Sequence, residues 1–151
     1  MQKKRLKRGR DPRSNRISIY TSTFNSNLDL LIKVFYSVKE QTWRDWEWII
    51  FDDSTNKDTW ELLTELEQED ARIKLFTYQR EGVDEKYIIS PHRSPDSVGF
   101  TKALCCEQAS GKFLLELDHD DILSETALDD IIMASKSYPE AGFFYSDGVE
   151  K

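Results

Sequence analysis

With 151 residues, four Trp, six Tyr and eight Phe, the chain can bury a core as one domain, which excludes an intrinsically disordered class. Net charge is −7 and unevenly placed: residues 1–16 hold eight Lys/Arg and one acidic residue, the rest 13 Lys/Arg and 27 Asp/Glu. No apolar run approaches the roughly 18 residues of a membrane span, the basic arm lacks the apolar centre of a secretory signal, and the adjacent Cys105 and Cys106 make neither a disulfide framework nor a Cys-x-x-Cys site.

Residues 1–15 are expected to form a solvated basic arm that adds little to the core. Its functional reading is electrostatic contact with an anionic membrane surface. Specific nucleic-acid binding is disfavoured, because the acidic body would repel phosphates. Buried or half-buried thiols suit a reducing compartment. The expected location is therefore the cytoplasm, with peripheral contact at a membrane.

The body, 16–151, then alternates between two periodicities. Ile17-Ser-Ile-Tyr20 reads as a first strand, followed by a polar loop, Thr21 to Asn27. Leu28, Leu31, Ile32, Phe35 and Val38 recur at helical spacing, with Asn25 or Asn27 as the cap. Trp46 to Phe51, apolar except for Glu47, is a second strand ending in Asp52-Asp53-Ser54. Trp60, Leu63 and Leu66 mark a second amphipathic helix, and Ile73 to Tyr78 a third strand. Residues 79–98 form an irregular polar loop of the length that is usually functional. A helix is expected from Gly99 to Ala109, with Gly111 as its terminator. A fourth strand covers Phe113–Leu117, and Leu128, Ile131 and Ile132 mark a helix ending near Tyr138-Pro139. A last strand is expected at Gly142–Tyr145.

Strands alternating with helices imply a Rossmann-like α/β/α sandwich with a mainly parallel sheet. Ligands bind such sheets at the carboxyl ends of the strands. The polar clusters all fall there: Thr21–Asn25, Asp52–Asn56, Asp118–Asp121 and Ser146-Asp147. The segment Asp118-His-Asp-Asp121 packs three carboxylates into four positions. Close carboxylates repel unless a cation lies among them, and their oxygens suit Mg²⁺ or Mn²⁺. Asp118, Asp120 and Asp121 are the candidate metal ligands; the alternative is a solvated acidic turn in which Asp121 or Ser124 caps the helix that follows. No G-x-G-x-x-G and no G-x-x-x-x-G-K-[ST] is present, which disfavours dinucleotide and P-loop chemistry.

In these motifs, their order and their spacing, the chain resembles the nucleotide-sugar half of a GT-A glycosyltransferase, most closely the inverting family 2. The stretches that carry the resemblance are Ile17-Ser-Ile-Tyr-Thr-Ser-Thr-Phe-Asn25, Ser37-Val-Lys-Glu-Gln41-Thr42 and Trp46 through Thr55. Ala109-Ser-Gly111-Lys-Phe, Leu117 through Leu123 and Pro139 through Asp147 complete the set. The resemblance implies that Thr23 and Asp53, with or without Asp52, hold the base and ribose of a nucleotide, commonly UDP. It places Asp118 on ribose or metal, Asp120 as the main ligand of Mn²⁺ or Mg²⁺, and Lys102 near the diphosphate. The implied activity is transfer of a sugar, with inversion, to a saccharide, lipid or protein acceptor. Departures from the family pattern are Ser54 for glycine, Ala103 for asparagine and Cys105 for glycine. The acceptor half, which carries the family's general base, is expected to lie past Lys151. Asp147 is the one spare acid at the right end of the sheet. The competing expectation is a donor-binding module without turnover of its own.

Overall fold

The computed structural model describes residues 14–93 and 97–146. The near-continuous apolar run Trp46–Asp52 becomes β2, buried along its whole length at the centre of the sheet. Strands buried on both faces read this way because helices cover each side. The other elements are β1 (Ile17–Thr23), α1 (Leu28–Lys39), α2 (Asp58–Glu69), β3 (Ile73–Tyr78), β4 (Ile88–Ser90), α3 (Ser97–Gln108), β5 (Phe113–Glu116) and α4 (Ala127–Ser137). The five strands are all parallel, in the order β4-β3-β2-β1-β5. The expected Rossmann-like class is what the chain adopts. The order reverses at β1, which has β2 on one side and β5 on the other, and that reversal is the switch point.

Alternation along the strands divides the core. Ile17, Ile19, Trp48, Ile50 and Leu75 face α1, α2 and α4 through Leu31, Val34, Phe35, Leu63, Leu128 and Ile132. Ile49 and Phe51 face the opposite way, onto Leu104 and Cys105 of α3. Burial pushes the Cys105 thiol up to about 12, so it stays a packed, unreactive group. Asn27, not Asn25, caps α1: its Oδ1 accepts from Leu30 N at 3.1 Å. Asn25 instead takes the left-handed conformation, φ 45°, which asparagine tolerates.

Four expectations are corrected. First, β1 runs three residues further than Tyr20. The polar Thr21, Ser22 and Thr23 stay in the ladder because each hydroxyl finds a buried partner: Leu117 O at 2.7 Å, Thr101 Oγ1 at 2.6 Å and Asp52 Oδ1 at 2.9 Å. Second, the loop at 79–98 contains β4, which pairs with the end of β3. Third, Gly111 is not a left-handed helix terminator. It lies against the start of β1, where a Cβ would stand 2.6 Å from Arg16 O and 2.8 Å from Ser18 N. Fourth, residues 142–145 form no strand; Phe143 and Tyr145 are exposed there. Of the arm, residues 1–13 lie outside the described residues. Ser14 donates to Asp45 Oδ2 at 2.9 Å.

Glu47, the one charge inside β2, is buried at the amino ends of the strands. Its carboxylate pairs with Lys74 and accepts from Ser18 Oγ at 2.6 Å, Ser110 N at 2.6 Å and Ser110 Oγ at 2.9 Å. Burial alone would raise its pKa. The Lys74 ammonium, the Ser18 hydroxyl and the Ser110 amide outweigh that and hold the carboxyl at about 2, from an ordinary value of 4.5. The unfolded carboxyl therefore protonates first as pH falls. The stability this group contributes is complete above about pH 4.5 and is lost towards pH 2. Glu47→Ala is expected to cost about 3 kcal/mol, the low end for breaking a buried pair, because Lys74 keeps a path to water. Urea unfolding at pH 7 and pH 3 checks both points: the variant should show a smaller acid dependence than the wild type.

Candidate nucleotide-sugar site

The site is built where β1, β2 and β5 end. In the β1–β2 register Thr23 lies opposite Asp52, so the last residues of both strands meet side by side. Asp52 is 0% exposed, and both of its oxygens are engaged. Oδ1 accepts from Thr23 Oγ1 at 2.9 Å and Ser54 Oγ at 2.6 Å, and Oδ2 pairs with Arg80 Nη2 at 2.8 Å. Arg80 Nη1 also donates to Ser54 O at 2.8 Å, and Thr77 Oγ1 to Asp52 O at 2.8 Å. Thr23 and Asp52 are thus joined inside the sheet end. Asp53, the next residue, is 4% exposed and pairs through Oδ1 with Arg93 Nε at 3.0 Å. Asn25 straps the β1 loop to the β2 loop. Its N–H donates to Ser54 Oγ at 2.8 Å, and its Oδ1 accepts from Thr55 N at 2.9 Å and Asn56 N at 3.1 Å.

On the other side of β1, Thr21 Oγ1 donates to Leu117 O at 2.7 Å and accepts from Trp48 Nε1 at 2.8 Å, which fixes the residue before Asp118. Lys102 of α3 reaches across to Glu116 and to Asp118 Oδ1, the latter at 2.9 Å. Hydrogen bonding to Glu116 and Asp118 raises the Lys102 pKa, so the ammonium is charged at neutral pH. The same Lys102 bond lowers the pKa of Glu116, which also accepts from Tyr20 OH at 3.0 Å. Burial, and then Glu116, push the Tyr20 phenol up to about 12.

Asp118, Asp120 and Asp121 are exposed, and Asp121 N donates back to Asp118 O at 3.2 Å to close a turn. Among the described residues no three His, Cys, Asp or Glu side chains are placed together as a metal group. Exposed carboxylate oxygens are the donor type a hard cation takes, one or two at a time, with water and phosphate oxygens in its remaining positions.

The segment after these carboxylates is latched to α1. Buried Gln41 donates through Nε2 to Ser37 O at 2.9 Å and Ser124 O at 2.6 Å, and its Oε1 accepts from Leu128 N at 3.0 Å. Asp147 lies outside the described residues. A cleft of about 930 Å³ lined by Lys33, Tyr36, Arg44, Arg72, Ile122 and Glu125 does not belong to this cluster: Arg44 and Arg72 precede β2 and β3, at the opposite ends of the strands.

The family model for glycosyl transferase family 2 matches residues 18–146, which takes in every element described except the first residue of β1, and both halves of the switch point. The chain belongs to glycosyl transferase family 2. It is 31% identical over 124 residues to a GalNAc(5)-diNAcBac-PP-undecaprenol beta-1,3-glucosyltransferase of Campylobacter jejuni, covering 82% of this chain and 36% of that one. It is 30% identical over 132 residues to the O-antigen biosynthesis protein RfbC of Myxococcus xanthus, covering 87% of this chain and 9% of that one. Its fold is similar to that of S. aureus TarS 1-349 solved with UDP, at TM-score 0.62 and 21% identity, covering 82% of this chain and 33% of that one. This family 2 chain thus spans about a third or less of the length of these relatives. No helix among its described residues is long and apolar enough to cross a membrane.

Arg80, Arg93 and Glu116 went unread in the sequence. The signal available in the sequence is two arginines placed just beyond β3 and β4.

Proposed function

We propose that this family 2 chain is the donor-binding part of a metal-dependent glycosyltransferase, which takes a UDP-sugar and transfers the sugar, with inversion, to a saccharide, lipid or protein hydroxyl. The observation that carries the reading is the division of labour across β1. Asp53 stands on the β2 side, and Lys102 with Asp118 on the β5 side. A nucleoside diphosphate laid across the switch point would put its base by Asp53 and its phosphates by Lys102. The names of similar proteins add support: TarS 1-349 is solved with UDP and with UDP-GlcNAc, and the Campylobacter relative is a glucosyltransferase.

Asp53 would accept a hydrogen bond from a base N–H. Asp120, with Asp118 or Asp121, would hold Mn²⁺ or Mg²⁺. When bound, that cation offsets the charge that builds on a departing nucleoside diphosphate. Lys102 would exchange part of its contact with Asp118 for a phosphate oxygen. The basic arm would meet an anionic membrane surface. A second reading, a donor-binding module without turnover, is favoured by one observation. Asp52, Asp53, Glu116 and Asp118 already have cationic partners, so none of them is a ready general base.

The test is the melting temperature of the 151-residue chain with UDP, CDP, ADP and GDP, in Mn²⁺ and in chelator, followed by donor-plus-acceptor incubations. UDP with Mn²⁺ should raise it most, since a ligand at 100 times its Kd stabilises by about 2.7 kcal/mol. No shift with any nucleotide would overturn donor binding. Donor binding without glycoside formation would select the second reading.

A further inference from the structure

Five side chains form an alternating stack of rings and cations beside the site. The Arg80 guanidinium lies 4.8 Å from the Trp60 ring and 5.4 Å from the Tyr78 ring, and Arg93 lies 5.6 Å from Tyr78 and 5.2 Å from Phe24. The stack runs from α2 across the end of β3 to the tip of the β1 loop. Each arginine in it grips one of the two adjacent aspartates. Arg80 is the closed rung, 17% exposed and bound to fully buried Asp52. Arg93 is the open rung: it is 33% exposed, and Phe24 beside it is 52% exposed. Arg93 holds Asp53 at two points, Nε to Oδ1 at 3.0 Å and Nη2 to the backbone oxygen of the same residue at 2.7 Å. That grip fixes the carboxylate relative to its own main chain, which a single contact would leave free to turn.

Building on the donor reading above, we propose that Arg93 is a positioning residue that sets nucleobase selectivity by holding Asp53 in one place. An ionised carboxylate only accepts hydrogen bonds. Uracil offers it the ring N3–H. Cytosine has a lone pair at N3 and carries its donor on the neighbouring 4-amino group. A carboxylate free to shift by a fraction of its own length can take that amino group instead, and it then discriminates poorly. Held at Oδ1 by a guanidinium whose other arm is tied to the Asp53 carbonyl, and which is itself flanked by Tyr78 and Phe24, it cannot follow. Cytosine then leaves an almost buried acceptor facing a lone pair, and a site built for a donor rejects its absence strongly. A lysine at the same position supplies the charge as a single point without the fork. Charge and grip are therefore separable.

The experiment is calorimetric titration of UDP and CDP into the wild-type chain, Arg93→Ala and Arg93→Lys, with melting temperatures as a check on folding. The wild type should prefer UDP by about tenfold or more. Arg93→Ala should lose about tenfold in UDP affinity, and its preference should fall to about threefold or less. Arg93→Lys should recover UDP affinity but not the preference, an outcome that loss of packing alone does not produce. A wild type that binds no nucleoside diphosphate overturns the donor reading and this inference with it. A wild type that binds UDP without preferring it, an unchanged UDP preference in both variants, or tighter UDP binding in Arg93→Ala overturns the role of Arg93 alone. If Arg93→Ala does not fold, Arg93→Lys decides, because the full wild-type preference in that variant overturns the grip.

Discussion

Asp52→Ala is expected to destabilise the chain by about 3–5 kcal/mol, the usual effect of removing one partner of a buried ion pair. Asp52 takes hydrogen bonds from Thr23 and Ser54 and pairs with Arg80, all at the end of the central strand. Without it, Arg80 is left largely buried without its counter-ion, and the ends of β1 and β2 lose the group that ties them together. Native domains are stable by about 5–15 kcal/mol in all. The variant should therefore melt lower by on the order of 10 °C or more. Asp53→Ala, one residue further on, is the matched control. Its partner Arg93 reaches solvent, so its main effect should be on ligand: loss of a charge-assisted hydrogen bond worth about 1.5–3 kcal/mol, or roughly tenfold or more in UDP affinity. Thermal unfolding and UDP titration of both variants separate the roles. Near wild-type melting in Asp52→Ala would refute the structural role of that carboxylate, and unchanged UDP affinity in Asp53→Ala would count against base recognition there.

Asp120→Asn should remove the gain in nucleotide affinity that Mn²⁺ gives, a loss of at least about tenfold, while leaving the melting temperature where it is. Asp120 is exposed, and amide for carboxylate changes charge with little change in volume. Asp118→Asn should differ. It also takes a partner from Lys102, which keeps Glu116, so it should change nucleotide affinity in chelator as well as in Mn²⁺. UDP titrations of wild type and both variants, each in Mn²⁺ and in chelator, check this. A wild type with the same UDP affinity in both media would remove the case for a metal altogether.

Periodicity in the sequence was enough to determine the alternation of strands and helices, the parallel α/β class and the carboxyl-end placement of Asp52-Asp53 and Asp118–Asp121. The reason is that burial on both faces of a sheet leaves a local signature: continuous apolar runs in strands such as Trp46–Phe51, and a 3.6-residue repeat in helices such as Leu28–Val38. What the tertiary structure decided has no local signature. Thr21, Ser22 and Thr23 read as loop because hydroxyls are polar, yet partners 29 to 96 residues away keep them in β1. Gly111 read as a helix stop because glycine serves there often, yet it is needed where β5 turns in against Arg16 and Ser18. Phe143 and Tyr145 read as a strand from their apolar pattern, but a strand also needs a neighbour to pair with, and none is formed there among the described residues. Arg80 and Arg93 read as loop charges because what distinguishes them is the pair of carboxylates they meet 28 and 40 residues back along the chain. Contacts between residues that far apart in sequence are set by the topology of the sheet, and only the folded chain brings them together.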